Sequence, residues 1–230
     1  HLCDRRQRQM CIRDRFYDGY KALLDYYLDL SVKAQYHSYE VMNQHVSFLF
    51  TSLLTDDCIA RGKALLDGGV RYLGGTNETY GNINTSDSLW VIRDLVFNQK
   101  KYTLRQLNDA MLANFNGYEA LRKDCLNCDK YGNDLETADT MANDLYEFVA
   151  KGVRDRGIAI GMQYFLIVIS NNQLNTEWGN RTAASPDGRL SCMYMNPANN
   201  PQGGANKSGP TAMLNSLAKF DAKYHGGSVQ

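Results

Sequence analysis

Proline is missing from the first 185 residues of this 230-residue chain, and all four prolines fall at or beyond Pro186. Proline is the strongest breaker of helices and central strands, so a helical early part and a loop-rich end are predicted. Long apolar runs are missing as well. The longest, Tyr164 to Ile169, is strand-sized, far below the roughly 20 residues a spanning helix needs, and no membrane partner is expected. Net charge is zero, with 25 basic and 25 acidic side chains. The first fifteen residues hold five arginines and two aspartates, leaving the body mildly acidic at 20 basic to 23 acidic. Nucleic acid is excluded on the same ground, since displacing counterions needs clustered Lys and Arg.

Cysteine is sparse. Six are scattered along the chain, two of them in the first fifteen residues, too few for a disulfide scaffold, so a reducing cytoplasm is expected. Cys125-x-x-Cys128 lacks a second Cys/His pair at zinc-site spacing, and packing is the expected role. The four histidines, His1, His37, His45 and His225, form no HExxH motif, and no GxSxG elbow occurs; surface or core roles are expected of them. Four Asn-x-Ser/Thr sequons, at Asn77, Asn84, Asn180 and Asn206, are read as chance in an Asn-rich chain that shows no secretory signal.

Residues 1–15, HLCDRRQRQMCIRDR, have no apolar period and no signal-peptide core. The string RRQRQMCIRDR resembles translated sequencing-adapter read-through, and residues 1–15 are taken as a non-native leader on a reading frame truncated at its start; a basic arm is the alternative.

Beyond it, Phe16 to about Val46 carries Leu23, Leu24, Tyr27, Leu28 and Val32 as the stripe of a half-buried helix. Phe48 to Leu66 continues helically to a stop at Gly68 and Gly69. Ser86 or Asp87 suits the cap of a helix reaching Phe97. Thr103 suits that of Leu104 to Phe115, whose Leu104, Leu107, Met111, Leu112 and Phe115 share a face. Asp134 to about Val153 forms a further helix with Ala138, Met141, Leu145, Phe148 and Val149 inward. Gly157 and Gly161 bracket a switch to the β-rich run Tyr164 to Ile169. Val70 to Leu73 and Leu190 to Met195 are weaker strand candidates, Pro186-Asp187-Gly188 is a tight turn, and Thr211 to Phe220 reads as a helix. Long helices with a few strands between them point to a mixed α/β fold without internal repeats or linkers.

The loop Gly74 to Ser88 is glycine-rich, polar and enters a helix, which is the recipe for an anion cradle, although it lacks the GK[ST] of a P-loop. Alone it is a weak signal. In company it is stronger: DDCIARG at Asp56 to Gly62, GGVRY at Gly68 to Tyr72, the Gly81 loop into Asp87 to Leu89, VIRDLVF at Val91 to Phe97, ANFNGYEALR at Ala113 to Arg122, KYGND at Lys130 to Asp134 with Ala138-Asp139, PDGR at Pro186 to Arg189, and GPTAMLNSLAKFD at Gly209 to Asp221. Eight strings in this order resemble the glycyl radical enzymes of the pyruvate formate-lyase-like superfamily.

The resemblance implies a ten-stranded α/β barrel of two half-barrels, with residues 16–230 an interior piece of that domain: part of one half-barrel and its surrounding helices. It implies a catalytic cysteine upstream of the Phe16 helix and a radical glycine beyond Gln230, so no residue here is expected to carry the radical. Cys58 is read as packing, and Cys125, Cys128 and Cys192 lack the family's loop. The expected contribution is a chamber wall: Asn82, Asn84, Ser86, Asp87 and Ser88 near the interior, and Tyr164, Phe165 and Leu166 on a substrate-facing strand. Helix capping by Ser86 and Asp87, and ordinary core for the strand, stand as alternatives. Pro186, Asp187, Gly188 and Arg189 are expected to be a structural turn that Arg189 fixes by pairing a carboxylate.

The KYGND and GPTAMLNS strings look more like the dehydratase, decarboxylase and C–N or C–S lyase branch than like pyruvate formate-lyase proper, which remains an alternative. The resemblance further implies a small-molecule substrate, activation by a separate radical-SAM protein, a homodimer when full length, anaerobic metabolism, and no metal or organic cofactor on this chain. Ile83 replaces the family's alanine, Asn82 takes a usually apolar position, and the segment after PDGR reads CMYMNPANNP, so the substrate is left open. Two other classes remain: a non-catalytic helical interaction module, which predicts an exposed Gly74–Ser88 loop with no strand behind it, and a phosphate or nucleotide binder at that loop.

Overall fold

A computed structural model describes the backbone of residues 2–169 and 172–224, and side chains within residues 14–166 and 173–223. His1, His225 and the side chains of residues 2–13 lie outside the described residues. The chain begins with one long helix, α1 (Leu2–His45), followed by short helices α2 (Leu49–Leu54) and α3 (Cys58–Arg61). Strand β1 (Gly74–Thr79) leads into α4 (Asn82–Val91), which runs on through a π-helical stretch at Ile92–Asn98. Then come α5 (Leu104–Leu112), α6 (Glu119–Asn127), the long α7 (Glu136–Ala159), β2 (Tyr164–Ile169), α8 (Asn172–Asn180) and α9 (Gly209–Ala218).

The two strands pair in parallel, Gly74 opposite Tyr164 through Thr79 opposite Ile169. Parallel neighbours need a crossover, and everything from α4 to α7 lies in it. Helices cover one face of the pair. Phe165, 1% exposed, packs there against α7, where a Cβ on Gly157 would sit 2.6 Å from the Phe165 Cβ. A Cβ on Gly75 would lie 3.1 Å from the Phe165 ring and 3.3 Å from the Tyr39 hydroxyl of α1. Tyr39 also donates to the Gly74 carbonyl at 2.9 Å. Glycine is thus required in β1 and α7 because aromatic rings occupy the space a side chain would take.

The main core joins α1, α4, α7 and β2 through Leu28, Val32, Ile83, Leu145, Val149 and Phe165. Each fully buried aliphatic or aromatic side chain contributes roughly 1.5–3 kcal/mol. Tyr131 and Tyr146 close it by packing on Phe220, with ring centroids 5.5 and 5.0 Å away. A second core gathers Val91, Leu95, Leu107, Phe115, Leu121 and Cys125. Helix α9 is tied to α7 by buried Asp139, which accepts from Lys219 at 2.7 Å and from Ser216 at 3.0 Å.

Several expectations are corrected. Helix α1 starts at Leu2 rather than at Phe16, so the arginine-rich stretch is helical. Leu23 and Tyr27 are exposed at 58% and 57%, while Leu28 and Val32 are buried; the stripe faces α7 over a narrower arc than the apolar pattern suggests. Phe48–Leu66 is broken at Thr55–Asp57, where Asp57 takes a left-handed φ of 73°. The strand is Gly74–Thr79 and not Val70–Leu73, and Leu190–Met195 forms turns. Leu112 is 79% exposed. Thr103 does cap α5, in a reciprocal box with Gln106, and β2 coincides with its expected span.

Candidate functional site

Helix α4 starts earlier than its side chains suggest. Gly81, at φ 67°, turns the chain directly into Asn82, so Ser86 and Asp87 lie mid-helix and cap nothing. Ser86 bonds back to the Ile83 carbonyl at 3.0 Å and is 1% exposed, a packing position. Three further polar residues of this helix, Asn84, Asp87 and Ser88, reach out to later parts of the chain. Asn84 and Asn196 bond reciprocally: the Asn84 amide N–H donates to Asn196 Oδ1 at 3.2 Å, and the Asn196 amide N–H donates to Asn84 Oδ1 at 2.7 Å. The Asn84 Nδ2 donates to Asp187 Oδ2 at 2.7 Å and to Gln202 Oε1 at 3.0 Å. Ser88 Oγ accepts from the Asp187 amide at 3.2 Å.

The Pro186–Arg189 turn is therefore clamped onto α4. Asp187 Oδ1 accepts from Ser185 Oγ at 2.6 Å and from the Arg189 amide at 3.2 Å. Gly188, at φ 94°, has no room for a Cβ, which would lie 2.7 Å from Leu126. Arg189 fixes the loop, but through carbonyls rather than a carboxylate: its guanidinium donates to Leu190 at 3.2 Å, Met193 at 2.8 Å and Ala183 at 2.5 Å, and to Ser185 Oγ at 3.2 Å. The side-chain oxygen of Asn196 already occupies an amide at the α4 N-terminus, which argues against the anion cradle at that point.

Asp87 is 1% exposed. Its Oδ1 accepts from the Tyr131 amide at 2.9 Å, while Oδ2 has no partner. Burial, opposed by nearby Lys130, pushes its carboxyl from 3.8 up to about 8, so it is largely protonated at neutral pH. Among the cysteines, Cys58 and Cys125 are buried and Cys192 is exposed. Burial pushes the Cys125 thiol up to about 12 and the Cys128 thiol up to about 11, which removes thiolate character from both.

The strand residues divide by parity. Successive side chains point to opposite faces, so Phe165 faces α7 whereas Tyr164, 41% exposed, and half-buried Leu166 face away. Exposed Thr76 and Glu78 of β1 share that open face, opposite Leu166 and Val168 in register. The Tyr80 hydroxyl donates to the Glu78 carboxylate, and the Tyr80 ring lies 6.0 Å from that of Trp178 in α8. Asn82 stands apart, donating to Thr79 Oγ1 at 3.2 Å. Sequence reasoning missed Thr76 and Glu78 because it placed them in a loop, and missed Asn196 and Gln202 because contacts over 112 and 118 residues leave no local pattern.

A family model for pyruvate formate lyase-like proteins matches residues 6–174. The chain belongs to this family of glycyl radical enzymes. It is 30% identical over 217 residues to trans-4-hydroxy-L-proline dehydratase of Clostridioides difficile, covering 94% of this chain and 27% of that protein. It is 31% identical over 187 residues to isethionate sulfite-lyase of Bilophila wadsworthia, covering 80% of this chain and 21% of that protein. The glycerol-bound B12-independent glycerol dehydratase of Clostridium butyricum superposes with a TM-score of 0.84 at 29% identity, over 91% of this chain and 26% of the other. The chain spans about a quarter of the length of the relatives it matches. The family match reaches back to residue 6, inside the arginine-rich stretch.

Proposed function

We propose that this chain forms one side of the reaction chamber of a glycyl radical enzyme that cleaves a C–O, C–N, C–S or C–C bond in a small molecule, on the dehydratase, decarboxylase and lyase side of the family. The observation that carries this reading is the one-sided cover of the β1–β2 pair. Parallel sheets are normally buried on both faces, yet α1 and α7 cover only one, and Thr76, Glu78, Tyr164 and Leu166 stand on the other. In this reading the two strands belong to a half-barrel, their open face lines its interior, and α4 with the Pro186–Arg189 turn braces the wall from behind.

A thiyl radical that abstracts hydrogen from an unactivated carbon needs water and oxygen excluded and the substrate held in near-attack geometry. A rigid wall supplies both. The radical cysteine and glycine belong to other parts of a longer polypeptide, and this chain is inactive alone. Radical installation by a radical-SAM activating protein, assembly as a homodimer and work in an anaerobic cytoplasm complete the proposal; no metal is assigned to this chain.

The test is anaerobic activation of a polypeptide of the relatives' length that carries this chain. A glycyl radical signal in electron paramagnetic resonance, with water or sulfite released from glycerol, trans-4-hydroxy-L-proline or isethionate, is the expected result. A fully activated enzyme that releases formate from pyruvate and coenzyme A would move the assignment to pyruvate formate-lyase; failure to form any radical would remove it.

A further inference from the structure

Behind the braced wall, α6, the Pro186–Arg189 turn and the segment Gln202–Lys207 enclose a cavity of about 340 Å³. Five cationic side chains and two carboxyls line it: Arg122, Lys123, Lys130, Arg189 and Lys207 with Asp87 and Asp187. Such an imbalance is uncommon in a body with slightly more acidic than basic residues. Arg189 donates its guanidinium to three carbonyls and Ser185, and Asp187 is saturated by Asn84, Ser185 and the Arg189 amide. Neither has much capacity left for a ligand.

The others do. Lys130 is buried and gives hydrogen bonds only to the Cys125 and Cys128 carbonyls, at 2.5 and 3.4 Å. Arg122 donates Nε to the Gly188 carbonyl at 2.9 Å, which fixes the stem and leaves the fork's two terminal nitrogens for a planar oxyanion. Among the described residues, none of Arg122, Lys123, Lys130 and Lys207 forms an ion pair with a carboxylate. Asp87 also borders this cavity, but it is 1% exposed and its Oδ2 has no open surface, so it sets little exposed charge against the four cations.

We propose that this cavity binds a small oxyanion, a phosphate or carboxylate group, held by Arg122, Lys123, Lys130 and Lys207. Burial keeps the Asp87 carboxyl largely neutral at pH 7, so it does not repel the anion. Occupation ties α6 to the turn and to the Gln202–Lys207 segment, stiffening the wall without touching the reacting atoms. The site does not depend on the radical reading, because every group in it belongs to this chain.

The 230-residue chain is titrated calorimetrically with inorganic phosphate, and separately with malonate, in a low-salt zwitterionic buffer at pH 7, with the thermal midpoint followed in parallel. Saturable one-to-one binding with a raised midpoint is expected for at least one of them; the one that binds identifies the source as phosphate or carboxylate. In the double variant Lys123→Gln/Lys207→Gln, whose two side chains are exposed, affinity should fall about 10- to 100-fold, the loss of charge-assisted hydrogen bonds. The control Lys33→Gln on α1 should leave it unchanged. Absence of saturable binding by both anions, or an equal loss in the control, overturns the proposal.

Discussion

Asn84 and Asn196, 112 residues apart, each use a side-chain oxygen to accept the other's backbone N–H, at 3.2 and 2.7 Å. Both residues are buried, and between them they satisfy an amide at the start of α4 and an amide in the loop after Pro186. This pair joins the helix that follows β1 to the late, proline-bearing loops. It explains how a stretch without secondary structure holds a defined shape against α4.

Breaking the pair leaves buried donors without acceptors. Asn84→Ala is expected to cost about 2–4 kcal/mol, because the Asn196 amide, Asp187 and Gln202 all lose a partner and each orphaned group costs about 1–3 kcal/mol. Asn196→Ala should cost about the same, and the double variant clearly less than the sum of the two. Urea unfolding of the four proteins checks this; additive losses would show that the two residues act separately.

Asp87 should make stability pH-dependent in an identifiable window. Its folded carboxyl is pushed up to about 8 from 3.8, so the folded chain holds the proton more tightly than the unfolded chain does. The favourable contribution is complete below the unfolded value, declines as the pH rises from about 4 to about 8, and is lost above that, where the buried group carries charge. Asp87→Asn keeps an acceptor for the Tyr131 amide and cannot ionise. Its stability relative to the parent should therefore improve progressively between pH 5 and pH 8.5, as read from thermal midpoints. A constant difference would contradict the assignment.

Gly157→Ala places a methyl 2.6 Å from the Phe165 Cβ, within the α7–β2 contact. Alanine has the higher helix propensity, so on local grounds the change is stabilising. Overpacking of a well-filled core typically costs about 1–3 kcal/mol and should win. A raised melting temperature would mean that β2 shifts away from α7 at little cost.

The thiols should separate by burial. Cys192 is exposed, while Cys58 and Cys125 are buried and the Cys125 thiol is pushed up to about 12. Under native conditions at pH 8, an alkylating reagent followed by peptide mass spectrometry should label Cys192 well ahead of Cys58 and Cys125. Equal labelling would show that the second core opens readily.

What the sequence disclosed follows from range. The span of β2, the Thr103 cap of α5 and the inward face of α7 rest on neighbours within a turn or two, and local patterns reveal them. The ordered strings reveal the family because they keep their order whatever the packing. The start of α4 was hidden because Gly81 works by backbone conformation while Ser86 and Asp87 are better caps by composition. β1 was hidden because Gly74-Gly75-Thr76-Asn77 has the composition of a loop; it is a strand because Tyr164, Phe165 and Tyr39 fill the space that larger side chains would occupy. The division of Tyr164 and Leu166 from Phe165 follows from strand parity once the covered face is known, and only the packing of α7 shows which face that is.

The central claim is that the open face of the strand pair looks onto substrate while the covered face only holds the wall together. It is tested by comparing Tyr164→Ala with Phe165→Ala in an activated polypeptide of full family length, measuring radical yield, melting temperature and kcat/KM on the best substrate. The account predicts that Tyr164→Ala lowers kcat/KM about tenfold or more with radical yield and melting temperature unchanged, while Phe165→Ala lowers the melting temperature. Full activity in Tyr164→Ala, with all loss confined to Phe165→Ala, would contradict it.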